Sequence, residues 1–178
     1  MTTADSFRVL GLLGGIGAGK SLVATALESL GCVRIDADRV GHELLRTEPV
    51  RAAIRARWGD GVFSADGEVD RARLGPIVFA DESQLRELEA IVHPRMRAEF
   101  ERCIALARRE GVAAGVVLDA AVMLEAGWDT LCDAMIFVDS PRAMRLARVA
   151  TERNWDAAEL DAREKRQISL DIKAESCC

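Results

Sequence analysis

Apolar residues along this chain fall into two rhythms. Short apolar runs occur at Val9-Leu10-Gly11-Leu12-Leu13, Val33-Arg34-Ile35, Gly115-Val116-Val117-Leu118 and Ala134-Met135-Ile136-Phe137-Val138. Runs of that length without alternation read as strands covered on both faces, as in the parallel sheet of an α/β fold. The last three each end in an aspartate, so Asp36, Asp119 and Asp139 are expected at the carboxyl edge of the sheet, where open α/β folds bind ligands. The second rhythm is helical. Leu22, Val23, Ala26, Leu27 and Leu30 follow the first run and predict a helix from Lys20 to Leu30, while Ser140-Pro141 reads as a cap and first-position proline opening an Arg-rich helix that reaches Arg153. Between Asp38 and Gly111 no run reads as a strand. Leu85, Leu88, Ile91 and Val92 make one helical stripe there, with loops at Gly59-Asp60-Gly61 and Asp66-Gly67. The pattern predicts one domain, with a core of residues 6–38 and 111–178 and a helical insertion at about 39–110.

Composition narrows the function classes. With 178 residues, 49% hydrophobic and 30% charged, the chain can bury a core without disulfides, and no apolar run approaches the roughly 20 residues of a membrane span. Met1-Thr2-Thr3-Ala4-Asp5-Ser6 has neither a basic nor an apolar leader region, which predicts a cytoplasmic protein. Net charge of −5 disfavours general nucleic-acid binding. Cys32, Cys103, Cys132, Cys177 and Cys178 show no metal-ligand spacing, and the first three sit among apolar residues as small core side chains. The many arginines and few lysines read as a trait of genome composition.

The chemistry enters at Gly14-Gly15-Ile16-Gly17-Ala18-Gly19-Lys20-Ser21, which fits G-x4-G-K-[ST] and lies between a strand and a helix as that pattern requires. Glycines at 14, 15, 17 and 19 permit positive φ angles, so the backbone N–H groups can turn inward around phosphate oxygens. The loop Gly15, Gly17, Ala18, Gly19, Lys20, Ser21 and Leu22 is therefore the candidate ATP cradle. Lys20 can reach the β- and γ-phosphates, the Ser21 hydroxyl can ligate Mg²⁺, and the following helix contributes the positive end of its dipole.

Asp36-Ala37-Asp38 emerges from the second strand at the same sheet edge. In an extended segment the two carboxylates point to opposite sides and need not share a task. One can accept a proton from an attacking hydroxyl or hold it in line with the γ-phosphate; a turn or helix cap is the competing reading.

The loop, together with Ile35-Asp36-Ala37-Asp38, Val78-Phe79-Ala80-Asp81, Val92-His93-Pro94 and Leu118-Asp119-Ala120 through Leu124-Glu125-Ala126-Gly127-Trp128, resembles the dephospho-coenzyme A kinase family in order and spacing over nearly the whole chain. The resemblance implies a P-loop NTPase fold, three-layer α/β/α with sheet order 2-3-1-4 and an inserted helical acceptor-binding domain. It implies transfer of the ATP γ-phosphoryl group to the 3′-hydroxyl of dephospho-coenzyme A, with Mg²⁺ as cofactor. Asp38 then matches the candidate base, and His93 lies on the acceptor side, against the plainer reading of His93-Pro94 as a helix interruption with a buried imidazole. Asp119 matches a carboxylate that holds a water on Mg²⁺. Arg145, Arg148 and Arg153 fall in the arginine lid, Arg148 and Arg153 as the closest matches and as ATP ligands; surface ion pairing is the plainer alternative.

The chain departs from the family pattern in four places. Leu22 and Leu13 stand where hydroxyl residues are common, Ala120-Ala121 lacks a usual proline, and Ser176-Cys177-Cys178 falls where relatives continue into a last strand, an Asn-containing loop and a helix. By resemblance, the C-terminal strand and helix are expected to be missing. Two other readings stay open: a P-loop kinase for another small hydroxyl acceptor, such as a nucleoside monophosphate or shikimate, and a nucleotide-dependent regulatory switch.

Overall fold

The computed structural model describes residues 7–165 and 167–177; the leader reading of residues 1–6 and the fifth cysteine, Cys178, lie outside them. By chain contacts the protein divides into two compact units, Met1–Ala37 with Glu101–Cys178, and Asp38–Phe100.

The first unit is built on four parallel strands, β1 (Arg8–Gly14), β2 (Cys32–Asp36), β3 (Gly115–Asp119) and β4 (Ala134–Val138), in the order β2-β3-β1-β4. This is the order implied by the resemblance. Val9, Leu12, Leu13, Val116, Val117 and Leu118 are all buried, as continuous apolar strands covered by helices should be. The register matters for function: Asp36 lies opposite Asp119, Asp119 opposite Leu12, and Gly14 opposite Val138. Two carboxylates and the start of the glycine loop therefore share the carboxyl edge.

Helix α1 (Lys20–Ser29) packs on the sheet through Val23, Ala24 and Leu27, against Leu12, Val117, Cys32 and Ile136. The expected stripe is wider, and at three positions it differs from the packed face: Leu22 is 75% and Leu30 72% exposed, and Ala26 is exposed too. Residues 22, 26 and 30 lie roughly 100° round the helix from the stripe that meets the sheet, so spacing alone selected two faces at once.

After β2 the chain enters α2 (Ala37–Leu44), α3 (Glu48–Trp58), α4 (Arg71–Ala80) and α5 (Glu82–Glu110). The second unit has its own core, including Val40, Val50, Ile54, Leu74, Val78, Met96 and Phe100. Asp70 caps α4 by accepting from Ala72 and Arg73 N–H, and Gly59-Asp60-Gly61, read as a loop, contributes to a short 3-10 turn at Asp60–Val62. Trp58 Nε1 donates to Gln84 Oε1 at 2.8 Å, tying α3 to α5. Pro94 does not interrupt α5, which runs through it although proline supplies no N–H to the Ala90 carbonyl one turn back.

The remaining helices of the first unit are α6 (Arg142–Arg153), α7 (Ala157–Glu164) and α8 (Leu170–Glu175). Pro141, expected inside α6, is its N-cap, and Ser140 makes no side-chain cap. Cys32, Cys103 and Cys132 are half-buried free thiols, less enclosed than the core positions expected for them. Burial, with Asp129 and Asp133 nearby, pushes the Cys132 thiol up to about 12.

Candidate active site

The glycine loop leaves β1 at Gly14 and closes on α1. Ala18 N–H donates to the Gly15 carbonyl at 3.1 Å and Leu22 N–H to the Gly19 carbonyl at 3.0 Å, so the turn passes directly into the helix. Gly14 and Gly17 require glycine for two reasons each. Their φ angles are +148° and +73°, and an added Cβ would lie 2.7 Å from the Val138 carbonyl oxygen and 2.8 Å from that of Arg145. Gly19 also has positive φ, whereas Gly15, expected with the others, does not; there a Cβ would meet Arg145 Nη1 at 2.9 Å.

The loop thus rests on α6. Arg145 is buried; it donates through Nε to the Ser140 carbonyl at 3.2 Å and pairs through Nη1 with Glu164 of α7. Arg148 Nη1 donates to the carbonyls of Gly17 (3.0 Å) and Ala18 (2.9 Å) and to Ser140 Oγ (3.2 Å). The bonds to Gly17 and Ala18 turn two loop carbonyls toward α6. Lys20 Nζ folds back over the loop, donating to the carbonyls of Gly14 (3.0 Å) and Gly15 (3.1 Å). No side chain caps α1 and no acidic residue occupies its first turn, so the helix presents bare N–H groups and the positive end of its dipole. Such a cradle binds a polyphosphate.

Ser21 is exposed in the first turn of α1, and Leu22 beside it turns its side chain to solvent. Asp119, at the end of β3, accepts a 2.6 Å hydrogen bond from Arg34 Nη2, which also lies 3.7 Å from Asp36 Oδ2. Hydroxyl and carboxylate oxygens are the hard donors that Mg²⁺ prefers. Among the described residues no group of three His, Cys, Asp or Glu side chains could hold a metal ion.

The sequence-predicted residues do not all gather at this loop. Arg153 has its guanidinium 4.9 Å from the Trp155 ring, which Arg163 approaches from 4.0 Å. Asp36 and Asp38 are not two positions of one extended segment: β2 ends at Asp36, and Asp38 is exposed in the first turn of α2, so a helical turn sets their relative direction. His93 is half-buried in the middle of α5, and burial lowers its pKa against a smaller opposing effect of Glu89. Within the second unit, Gly41 of α2 comes close to Met96 of α5; Asp38 and His93 each stand about one turn N-terminal to that approach.

Sequence reasoning passed over two polar features. Arg34 stands mid-strand between apolar neighbours, and its position two before Asp36 was the available signal. Lys173 of α8 is 1% exposed; its Nζ donates to Gln167 Oε1 at 3.0 Å and lies 3.6 Å from Glu125 Oε1, which also accepts from Ile168 N–H at 2.8 Å. This buried pair anchors the turn after β3 to the segment before α8. No sequence pattern marked Lys173.

The family model described as dephospho-CoA kinase matches residues 8–177. A dephospho-CoA kinase of Symbiobacterium thermophilum is 44% identical over 168 residues, covering 94% of this chain and 70% of the relative. A crystal structure of a Thermus thermophilus protein superposes with a TM-score of 0.81 at 30% identity, over 96% of this chain and 85% of that one. For the fold alone, a dephospho-CoA kinase from Campylobacter jejuni gives a TM-score of 0.68 at 22% identity, over 96% and 85% of the two chains.

Proposed function

The chain belongs to the dephospho-CoA kinase family, and on that premise we propose how its residues divide the transfer of the ATP γ-phosphoryl group to the 3′-hydroxyl of dephospho-CoA, the last step of coenzyme A synthesis. The observation that carries the reading is the glycine cradle braced by Arg145 and Arg148, with Lys20 across it and no acidic residue in the first turn of α1. Phosphoryl transfer asks for positioning and charge neutralisation rather than covalent catalysis. Loop N–H groups of Gly15, Gly17, Gly19, Lys20 and Ser21 hold the phosphates, Ala18 and Leu22 keep the loop's shape through their own N–H bonds to Gly15 and Gly19, and the Lys20 ammonium follows the charge that develops on the transferring group. Arg148 keeps the loop in its binding shape, and Arg153, set against the Trp155 ring at the end of α6, is assigned to ATP by the family resemblance alone.

Mg²⁺ fits the oxygen donors at this edge, with Ser21 and Asp119 as its protein partners, and when bound it neutralises phosphate charge. Asp38 serves the acceptor: an exposed carboxylate two residues past the sheet edge can take the proton of, or orient, the 3′-hydroxyl. The helical unit Asp38–Phe100 binds dephospho-CoA, with His93 offering a hydrogen bond from an imidazole that burial favours in its neutral form. The described cysteines are free thiols, which suits the reducing cytoplasm. Among the described residues no helix is long and apolar enough to cross a membrane.

The test is ADP release by the purified chain from Mg²⁺-ATP with dephospho-CoA, adenosine monophosphate or shikimate as acceptor. Release that depends on dephospho-CoA is the expected result. Release driven by another acceptor, or by none, would reject this assignment in favour of a different kinase or a nucleotide switch.

A further inference from the structure

Arg34 is the polar residue in a strand whose neighbours on either side, Val33 and Ile35, are apolar. Strand alternation places it on the same face as Cys32 and Asp36, the face that α1 covers. Its Nη2 donates to Asp119 Oδ2 at 2.6 Å and lies 3.7 Å from Asp36 Oδ2, while Nη1 is 4.0 Å from Glu28 Oε2 of α1. Carboxylates from α1, β2 and β3 thus share one guanidinium. The side chain is 20% exposed, that of Asp119 12%, and Arg34 Nε is buried without a hydrogen-bond partner. A valine would fill a strand position without leaving a donor unsatisfied, so the charge is explained by what it faces rather than by packing.

What it faces borders the phosphate cradle. Asp119 pairs with Leu12, two residues before Gly14, which puts it roughly 8 Å from the loop by strand spacing. In a partly buried setting, a bare carboxylate at that range opposes a triphosphate by about tenfold in affinity or more. We propose that Arg34 is a positioning residue of the phosphoryl-transfer site: it fixes Asp119 at the sheet edge and cancels carboxylate charge that would otherwise repel the phosphates of ATP. The role rests on the nucleotide-site reading above. It also makes Asp119 a guarded carboxylate, paired with an internal cation before nucleotide arrives.

The test is calorimetric ATP binding by the full chain, in EDTA and in Mg²⁺, for the wild type, Arg34→Met, Arg34→Lys, Asp119→Asn and the Arg34→Met/Asp119→Asn double variant. Bound Mg²⁺ screens the phosphates, so Arg34→Met is expected to weaken metal-free ATP by about tenfold and Mg²⁺-ATP by less than about threefold. Arg34→Lys should retain most of the affinity, and adding Asp119→Asn to Arg34→Met should restore the affinity for metal-free ATP. Equal losses in both buffers, or a loss that the second substitution does not repair, would mean a merely structural arginine and overturn the proposal. Should Arg34→Met fail to fold, Asp119→Asn decides alone: with Arg34 intact it should tighten metal-free ATP, and unchanged or weaker binding counts against the role. A wild type that binds ATP in neither buffer would instead refute the nucleotide site, and this role with it.

Discussion

At Gly17 the phosphate loop has no room for a side chain, because the Arg145 carbonyl would lie 2.8 Å from a Cβ and the backbone already sits at a φ of +73°. Gly17→Ala is expected to lower stability by about 1–3 kcal/mol and to weaken ATP binding, read by denaturant unfolding and calorimetry. Asp38→Asn should leave ATP affinity near wild type while turnover falls by about 10²-fold or more, as when an acid–base group is lost. Unchanged turnover would remove Asp38 from the chemistry. Single residues were unevenly legible in the sequence. Lys20 and the glycines could be read because backbone chemistry at a phosphate restricts residue type; Arg34 could not, because its partner Asp119 is 85 residues away and meets it only through strand order, while the nearer Glu28 reaches it only through the packing of α1.

Helix α5 shows what element-scale reasoning captures and what escapes it. The stripe Leu85, Leu88, Ile91 and Val92 announced a helix, but Pro94 suggested a break, and α5 runs through it. Phe100 is fully buried in the same helix, so Phe100→Ala should cost about 3–5 kcal/mol in a denaturant titration. His93 gives α5 a pH signature. Because burial holds its pKa below the ordinary 6.5, the unfolded chain binds a proton that the folded chain does not, just below that pH. Stability is therefore full above pH 6.5 and declines as pH falls from there toward the folded-state pKa. The lowered carboxylates Asp66, Asp81 and Glu87, with ordinary values of 3.8 to 4.5, act in a more acidic window. Melting temperatures between pH 5 and 7 should slope upward for the wild type and flatten for His93→Gln; equal slopes would contradict the shift. Helix α1 carries the opposite lesson, since helical spacing gathered Leu22 and Leu30 into a core that only Val23, Ala24 and Leu27 enter.

Across the whole molecule, the four strands and the edge that carries the glycine loop were readable, because short apolar runs, terminal aspartates and one loop motif each point to the same parallel sheet, whereas the strand order came from the family resemblance. The second unit was readable as helical, but its internal packing through Phe100, Met96 and Trp58 was not, since amphipathic helices of similar polarity do not specify which neighbour they meet. The central claim is that this sheet edge moves a phosphoryl group from ATP to one ribose hydroxyl of dephospho-CoA. The measurement that addresses it most directly is ³¹P NMR of the product formed from Mg²⁺-ATP and dephospho-CoA, beside the same reaction with Lys20→Ala. A new phosphomonoester at the ribose 3′ position, formed with stoichiometric ADP and lost in Lys20→Ala, is the predicted result. Inorganic phosphate in place of the ester, or an ester that persists without Lys20, would contradict the account.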